Sequence, residues 1–372
     1  MSNLEKLSDI KNALNKKFIE REKEVEAILI ALLSNQHLLM IGPAGTAKSA
    51  LSAELSNIIE GSLYFQWLLT KFSTPEEVFG ALSLKDLENG VYKRNTTSKM
   101  PEAHLVFLDE VFKANSAILN SLLTLINERL FYNNGQPTVS PLMSVIGSSN
   151  EYPEDEGLDA LFDRFLLRFE IDYIGDESNF ISMLKGQGQE QPMPKMTLAE
   201  LKNLQFLREM VNVPDEVYST LSSIRVDLKD EGIRPSDRRF KQSLSILQAK
   251  ALMEQRQDVK IQDILMLEHT LWENVEQKSL VSEIVNNHAL DMVSKTIKMI
   301  EDDTKGFLKL TKGSPSTEHV LETNKKMKEM LRELTDLKTK HSGRIEIVEA
   351  EEKLKNIQKE ITDLILEPVD MP

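Results

Sequence analysis

The sequence predicts a parallel α/β domain, then an all-helical domain, then a C-terminal helical extension, and three observations predict it. Short, continuously apolar runs alternate with helical patterns through the first half, as expected of strands covered on both faces by crossover helices. From Thr197 onward the pattern is helical throughout. Beyond Glu273, apolar residues settle into a heptad seam. The chain has 372 residues, enough at roughly 100–200 residues per domain for two or three domains. Composition shifts divide it into residues 1–185, 186–272 and 273–372.

The sheet is expected to have five parallel strands, at His37–Ile41, Leu63–Trp67, Leu105–Leu108, Leu142–Ile146 and Arg168–Ile171. After Ile174 the residues Gly175, Asp176, Gly186, Gly188, Pro192 and Pro194 read as a linker. Thr197 and Glu200 then have the capping-box spacing ahead of Leu201, Leu204 and Leu207. Further helices are expected at Pro214–Leu228, Ser236–Met253 and Ile261–Trp272. Met327, Met330, Leu334 and Leu337, and later Ile347, Ala350, Leu354, Ile357, Ile361 and Leu364, alternate three- and four-residue steps. With Ser342 and Gly343 as a turn between them, these stretches predict an antiparallel helical hairpin, packed on the second domain or standing as an arm.

Composition removes several function classes. Lys and Arg number 45 against 59 Asp and Glu, a net charge of −14, which disfavours a sequence-independent nucleic-acid binder. Without cysteine there are no disulfides, thiolate metal sites or thiol nucleophiles, and a reducing, cytoplasmic location is expected. Met1–Ile10 carries acids and no apolar core, unlike a secretory signal. The run Ile28–Leu33 is too short to span a bilayer.

Strand His37–Ile41 leads directly into Gly42-Pro43-Ala44-Gly45-Thr46-Ala47-Lys48-Ser49, with Ala50 the next candidate ATP-binding residue, and a helix follows with Leu51, Leu55, Ile58 and Ile59 on one face and Gly61 available as its stop. A strand, a glycine-bearing loop and a helix N-terminus make an anion site, because backbone N–H groups and the helix dipole point at one place. Lys48 is expected to reach the β- and γ-phosphates and the Ser49 hydroxyl to ligate Mg2+. Ala47 stands where the strict pattern has its second glycine.

Downstream residues strengthen this reading. Strand Leu105–Leu108 ends in Asp109 and Glu110, one placed to hold magnesium and the other to polarise the attacking water. Asn150 follows the fourth strand, and parallel strands present their carboxyl ends on one edge. Leu158–Arg168 places Arg164 and Arg168 four residues apart on one helical face, either as phosphate-directed charge or as surface ion pairs of Arg164 with Asp159, Asp163 or Glu170. Ser236 is a plausible N-cap, which sets Arg238 and Arg239 in a first helical turn, where the dipole disfavours cations unless an anion compensates.

Together GPAGTAKS at Gly42–Ser49, FLDEVFKANSAILNSLLTLINERLF at Phe107–Phe131, SSNEYPED at Ser148–Asp155, LDALFDRFLLR and PSDRRF at Pro235–Phe240 resemble the AAA+ P-loop NTPases, more narrowly the MoxR family and its RavA-type subgroup, over roughly Phe18 to Trp272. The resemblance implies ATP and Mg2+ as ligands and a homo-oligomeric ring, six-membered in the expectation. It makes Asn150 sensor 1, Arg164 an arginine finger reaching a neighbour's ATP, and Arg238 sensor 2, with Arg239 the alternative. Phe18 and Ile19 fall where such proteins wrap the adenine, with plain core packing the alternative. Two β-hairpin insertions are implied at Gly80–Ala103 and Arg129–Pro141, the second around Asn133-Asn134-Gly135. The implied activity is ATP-driven, chaperone-like remodelling or assembly of protein complexes, metal-cofactor insertion among them, with a von Willebrand A domain partner. RavA-type proteins carry a β-rich module within their C-terminal helices; short stretches such as Lys305–Ser316 leave no room for one here. The rival readings are a nucleic-acid motor using Lys93, Arg94 and Lys99, and a non-motor scaffold switched by nucleotide.

Overall fold

The computed structural model describes residues 2–153, 156–186, 193–313, 317–341 and 344–366. The chain divides into two compact units after Val285.

In the first unit, strands β1 (Leu38–Ile41), β2 (Tyr64–Leu68), β3 (Leu105–Asp109), β4 (Ser144–Ser149) and β5 (Leu167–Glu170) form one parallel sheet in the order β2-β3-β4-β1-β5. All four residues of β1 are buried, as an inner parallel strand requires. Strand β4 extends to Ser149, beyond the apolar run that ends at Ile146, because the sheet here needs small residues. A Cβ on Gly147 would lie 2.8 Å from the Phe165 ring. Asn150 therefore stands at the strand tip.

Helix α1 (Asn3–Lys17) starts with a capping box between Ser2 and Glu5. Helix α2 (Glu22–Ser34) is buried around most of its circumference and stops at Asn35 in the left-handed conformation. Helix α3 (Lys48–Ile58) follows β1, and α4 (Ser116–Glu128), capped by Asn115, follows β3. The stretch Leu158–Arg168 is not one helix. Helix α5 (Asp159–Arg164) ends at Arg164, and Arg168 belongs to β5, where its neighbours Leu167 and Phe169 are also buried.

The expected linker after Ile174 contains helix α6 (Glu177–Leu184), capped by Asp176, none of whose residues is buried; Gly188 and Pro192 lie outside the described residues. Helices α7 (Leu198–Glu209), α8 (Asp215–Asp230) and α9 (Asp237–Met253) form the helical part, and α7 has the expected Thr197–Glu200 capping box. Ile261–His269 is a 3-10 segment rather than an α-helix reaching Trp272.

The insertions differ from one another. Leu130–Asn133 and Gln136–Val139 pair antiparallel around Asn134 and Gly135, both at positive φ, as a two-residue primed turn demands. Gly80–Ala103 is not a two-stranded hairpin. It is a loop closed by the single bridge Leu82–Arg94 and carries two helical turns, Leu84–Leu87 and the 3-10 turn Met100–Glu102. Its backbone bonds to the hairpin instead: the Arg94 and Tyr92 N–H groups donate to the Asn133 and Asn134 side chains at 2.7 and 3.1 Å.

Helix α10 (Lys278–Ala289) spans the division. The second unit packs α11 (Met292–Gly313), α12 (Thr317–Lys340) and α13 (Ile345–Leu366) around Ile297, Ile300, Met327, Leu334, Ile347, Leu354 and Ile361. Pairing of Lys338 with Glu351 and of Asn324 with Thr362 makes α12 and α13 antiparallel; the turn at Ser342 and Gly343 lies outside the described residues. Lys305–Gly313 is helical rather than a break, because Thr304, Leu308 and Thr311 continue the inward face of α11; residues 314–316 are outside the description. Each buried aliphatic or Met side chain stabilises such a unit by about 1.5–3 kcal/mol.

Candidate functional site

The loop after β1 is shaped by close backbone approach. Gly42 donates its N–H to Ser149 O at 3.0 Å, and a Cβ there would lie 1.9 Å from Ile171 O, so no larger residue fits. Ala44 is exposed, Gly45 has φ +84°, and Thr46 Oγ1 donates to Pro43 O at 2.9 Å. Ala47, standing where the motif has glycine, adopts φ +69°. This left-handed geometry costs an L-residue about 1–2 kcal/mol. Helix α3 begins immediately afterwards, with Ser49 second and Ala50 third. It has no side-chain N-cap and no acid in its first turn. An uncapped helix N-terminus with free amides and positive dipole potential suits a phosphate.

Beside this loop the structure brings Lys48, Asp109, Glu110 and Asn150 together. Lys48 Nζ donates to Gly42 O (2.6 Å), Pro43 O (2.8 Å) and Asn150 Oδ1 (3.4 Å). Burial lowers the Lys48 pKa, opposed by the charges of Asp109 and Glu110. Asp109 Oδ1 accepts from Ser148 Oγ and from the Glu110 N–H. Glu110 is itself left-handed (φ +52°), and its Oε1 accepts from Asn150 Nδ2 at 2.5 Å while Lys113 lies 3.3 Å from Oε2. Asn150 thus holds a cation with one end of its amide and a carboxylate with the other. Among the described residues no three His, Asp or Glu side chains converge as a protein-only metal cage. Magnesium does not need one, since it binds through one or two protein groups plus phosphate oxygens, and Ser49 and Asp109 fit that role.

A cavity of about 720 Å³ opens next to the loop, lined by Phe18, Ile19, Thr46, Ala47 and Ala50 and faced by Tyr173, Ile174, Phe180 and Met183. Its apolar walls beside an anion site suit a flat base attached to phosphates. Helix α6 supplies Phe180 and Met183, and Glu20 fastens the start of that helix. Glu20 accepts from the N–H groups of Gly175 (2.8 Å) and Asp176 (3.0 Å) and from Asn179 Nδ2 (2.9 Å). Burial raises the Glu20 pKa, but those hydrogen bonds outweigh it and the net shift is downward. Buried Arg21 donates to Thr46 O, Glu20 O and Asp172 O, tying the Gly42–Ser49 loop to the segment between β5 and α6. Sequence reasoning missed Glu20, Arg21 and the α6 residues. The visible signal was Asp176 as a cap followed by Phe180, Ile181, Met183 and Leu184.

The arginines divide into buried and exposed. Arg168 is enclosed: it donates to the carbonyls of Phe165, Phe162 and Trp272, and its guanidinium lies 4.0 Å from the Phe162 ring centre. Arg239 is also buried, whereas Arg238 is exposed. Partial desolvation lowers the Arg238 pKa, and the nearby positive charge of Arg164 adds to the effect. Arg238 also acts electrostatically on His37, at the opposite end of β1 from the phosphate loop. Arg164 Nη1 pairs with Asp163 Oδ2 at 3.0 Å. The structure therefore groups Arg164 with Arg238 and does not bring either into the Lys48–Glu110 cluster of the same chain.

Comparison with known proteins agrees with this geometry. The family profile described as "MoxR domain in the MoxR-vWA-beta-propeller ternary systems" matches residues 5–209, and one described as "AAA lid domain" matches residues 216–285. An uncharacterised protein of Methanocaldococcus jannaschii is 35% identical over 309 residues, 81% of this chain and 81% of that one. The chaperone MoxR1 of Mycobacterium tuberculosis is 24% identical over 185 residues, 49% of this chain and 48% of its own. A crystal structure of a candidate ATPase from Cytophaga hutchinsonii superposes with a TM-score of 0.63 at 16% identity, covering 76% of this chain and 94% of that one, a likeness of fold.

Proposed function

This chain belongs to the MoxR family of AAA+ ATPases, and from that premise we propose that it is an Mg2+-dependent ATP hydrolase. It works as a homo-oligomeric ring, six-membered in our reading, that remodels or assembles other proteins in a chaperone-like way. The single observation that carries the hydrolase reading is the Lys48–Asn150–Glu110 chain of contacts beside an uncapped helix N-terminus.

The residues divide the work as follows. Amides of Gly45–Ser49 and the Lys48 ammonium hold the β- and γ-phosphates, and Phe18, Ile19 and Ala50 border the base. Magnesium, held by Ser49 and Asp109, would supply charge neutralisation on the phosphate oxygens. Glu110 orients the attacking water and accepts its proton, while Asn150 keeps the Glu110 carboxylate aimed. Arg164 faces a neighbouring protomer and offsets the charge developing there. Its separation from the cluster of its own chain, together with Arg238 beside it, supports that division.

The domains are proposed as nucleotide-binding (1–185), lid (186–272) and extension (273–372). The three-helix α11–α13 unit is in favour of the RavA-type subgroup and its lack of room for a β-rich module counts against it, while the wording of the matching MoxR profile supports a von Willebrand A domain partner. Insertion of metal cofactors is one form the remodelling takes in this reading. The absence of cysteine fits a reducing compartment such as the cytoplasm, and the net charge of −14 speaks against a nucleic-acid client.

The test is phosphate release by the wild type and by Glu110→Gln, with nucleotide affinity measured in parallel. The proposal requires turnover in the wild type and at least a hundredfold loss in the variant at unchanged affinity. A wild type that binds ATP without turning it over makes the chain a nucleotide-switched scaffold instead.

A further inference from the structure

We propose that Asp163 and Arg239 are positioning residues for Arg164, coupling the orientation of that arginine to the seat of helix α9; this rests on the reading of Arg164 as the residue that acts on a neighbour's triphosphate. Asp163 is shared between two arginines. Its Oδ2 accepts from Arg164 Nη1 at 3.0 Å, and its Oδ1 accepts from Arg239 Nη2 at 2.8 Å. The same Arg239 nitrogen also donates to the Asp163 backbone carbonyl at 2.9 Å, so the fork grips both the main chain and the side chain of one residue. Its other arm donates to Thr270 O at 2.5 Å and Leu166 O at 3.4 Å. Arg239 is only 2% exposed, so its guanidinium is fixed inside the protein, while the Asp163 side chain that it grips stays 45% exposed.

Two further features make α5 a poor place to orient an arginine without help. The helix has only six residues and ends at Arg164 itself. Arg164 Nε is buried without a hydrogen-bond partner, leaving Asp163 as the group that fixes its guanidinium. Arg239 lies in the first turn of α9, within the stretch matched by the lid profile. A shift of α9 against α5 therefore pulls on Asp163 first and, through Oδ2, on Arg164.

The experiment is a double-mutant cycle on the full chain, reading kcat and the affinity for a fluorescent ATP analogue. In Asp163→Asn the amide oxygen can still serve Arg239, which leaves the NH2 group facing Arg164, donor against donor. The expected result is a roughly tenfold lower kcat with affinity within about twofold, and no further loss when the change is made in Arg164→Ala. Arg239→Lys keeps the charge, removes the planar fork and gives the same non-additive pattern; it also serves if Asp163→Asn does not fold. An equal loss in both backgrounds means that Asp163 acts on the fold rather than through Arg164, and overturns the proposal. So does an unchanged kcat in Asp163→Asn where Arg164→Ala is impaired, and in that case the role of Arg164 stands. If Arg164→Ala turns over ATP at the wild-type rate, the reading of Arg164 falls and this proposal falls with it.

Discussion

Asn150 joins Lys48 to Glu110: its Oδ1 lies 3.4 Å from the Lys48 ammonium and its Nδ2 donates to the Glu110 carboxylate at 2.5 Å. Without it, Glu110 keeps Lys113 at 3.3 Å, a cation on an exposed side chain, and loses the donor that aims Oε1. Asn150→Ala is therefore expected to lower kcat by about two orders of magnitude, the scale of one lost preorganised hydrogen bond. ATP affinity should change little. Steady-state phosphate release beside equilibrium binding checks the split.

Ala47 holds a left-handed conformation, φ +69°, at the entrance to α3. Glycine removes that strain but adds freedom to the unfolded chain, and the two effects partly offset. Ala47→Gly is expected to raise stability by about 0.5–1 kcal/mol in urea unfolding, with nucleotide binding retained. A loss of stability would mean that the alanine methyl makes a contact worth more than the strain.

Glu20 fastens helix α6 over the cavity by three hydrogen bonds, and no residue of that helix is buried. Glu20→Ala should therefore speed release of a fluorescent nucleotide by about tenfold, a change of about 1.4 kcal/mol. Stopped-flow displacement measures it directly.

His37 is fully enclosed. Its Nδ1 accepts the Val145 N–H at 2.9 Å, and its Nε2 lies 3.0 Å from Ile126 O and 2.6 Å from Arg129 Nη1. Burial first, then the Arg129 charge, push the His37 pKa well below 6.5. The folded chain thus binds fewer protons than the unfolded one below pH 6.5, and acid drains the native state. His37 should contribute a stability loss approaching about 1.4 kcal/mol per pH unit below that point and none above it. Urea unfolding at several pH values, with His37→Gln lacking this component, tests the sign.

The parts of this molecule legible in the sequence are those whose signal is local. Strands β1 and β3 are unbroken apolar runs, and each leads into residues on which the proposed function rests, Gly42–Ser49 and Asp109-Glu110, so both could be read from local pattern. The apolar pattern of strand β4 stops at Ile146, since Gly147, Ser148 and Ser149 carry no apolar signal, although all three are buried. Helix α6 is hard to read among its neighbouring glycines because Phe180 and Met183 face a cavity rather than a core. Arg238 and Arg239 are adjacent, and only the packing of α9 shows that the second turns inward to Asp163 while the first remains exposed. Glu20 and Arg21 find partners 151 to 159 residues away, which no local spacing reveals.

The central claim is that one catalytic site is assembled from two protomers, and mixing two inactive variants tests it most directly. Glu110→Gln keeps an intact Arg164 but lacks the carboxylate, and Arg164→Ala keeps the carboxylate but lacks the arginine. Co-assembled, they create interfaces at which the Glu110 of one protomer meets the Arg164 of the next. The account predicts phosphate release well above the sum of the two separate variants, falling as either is diluted. A mixed assembly with no more activity than that sum would contradict it.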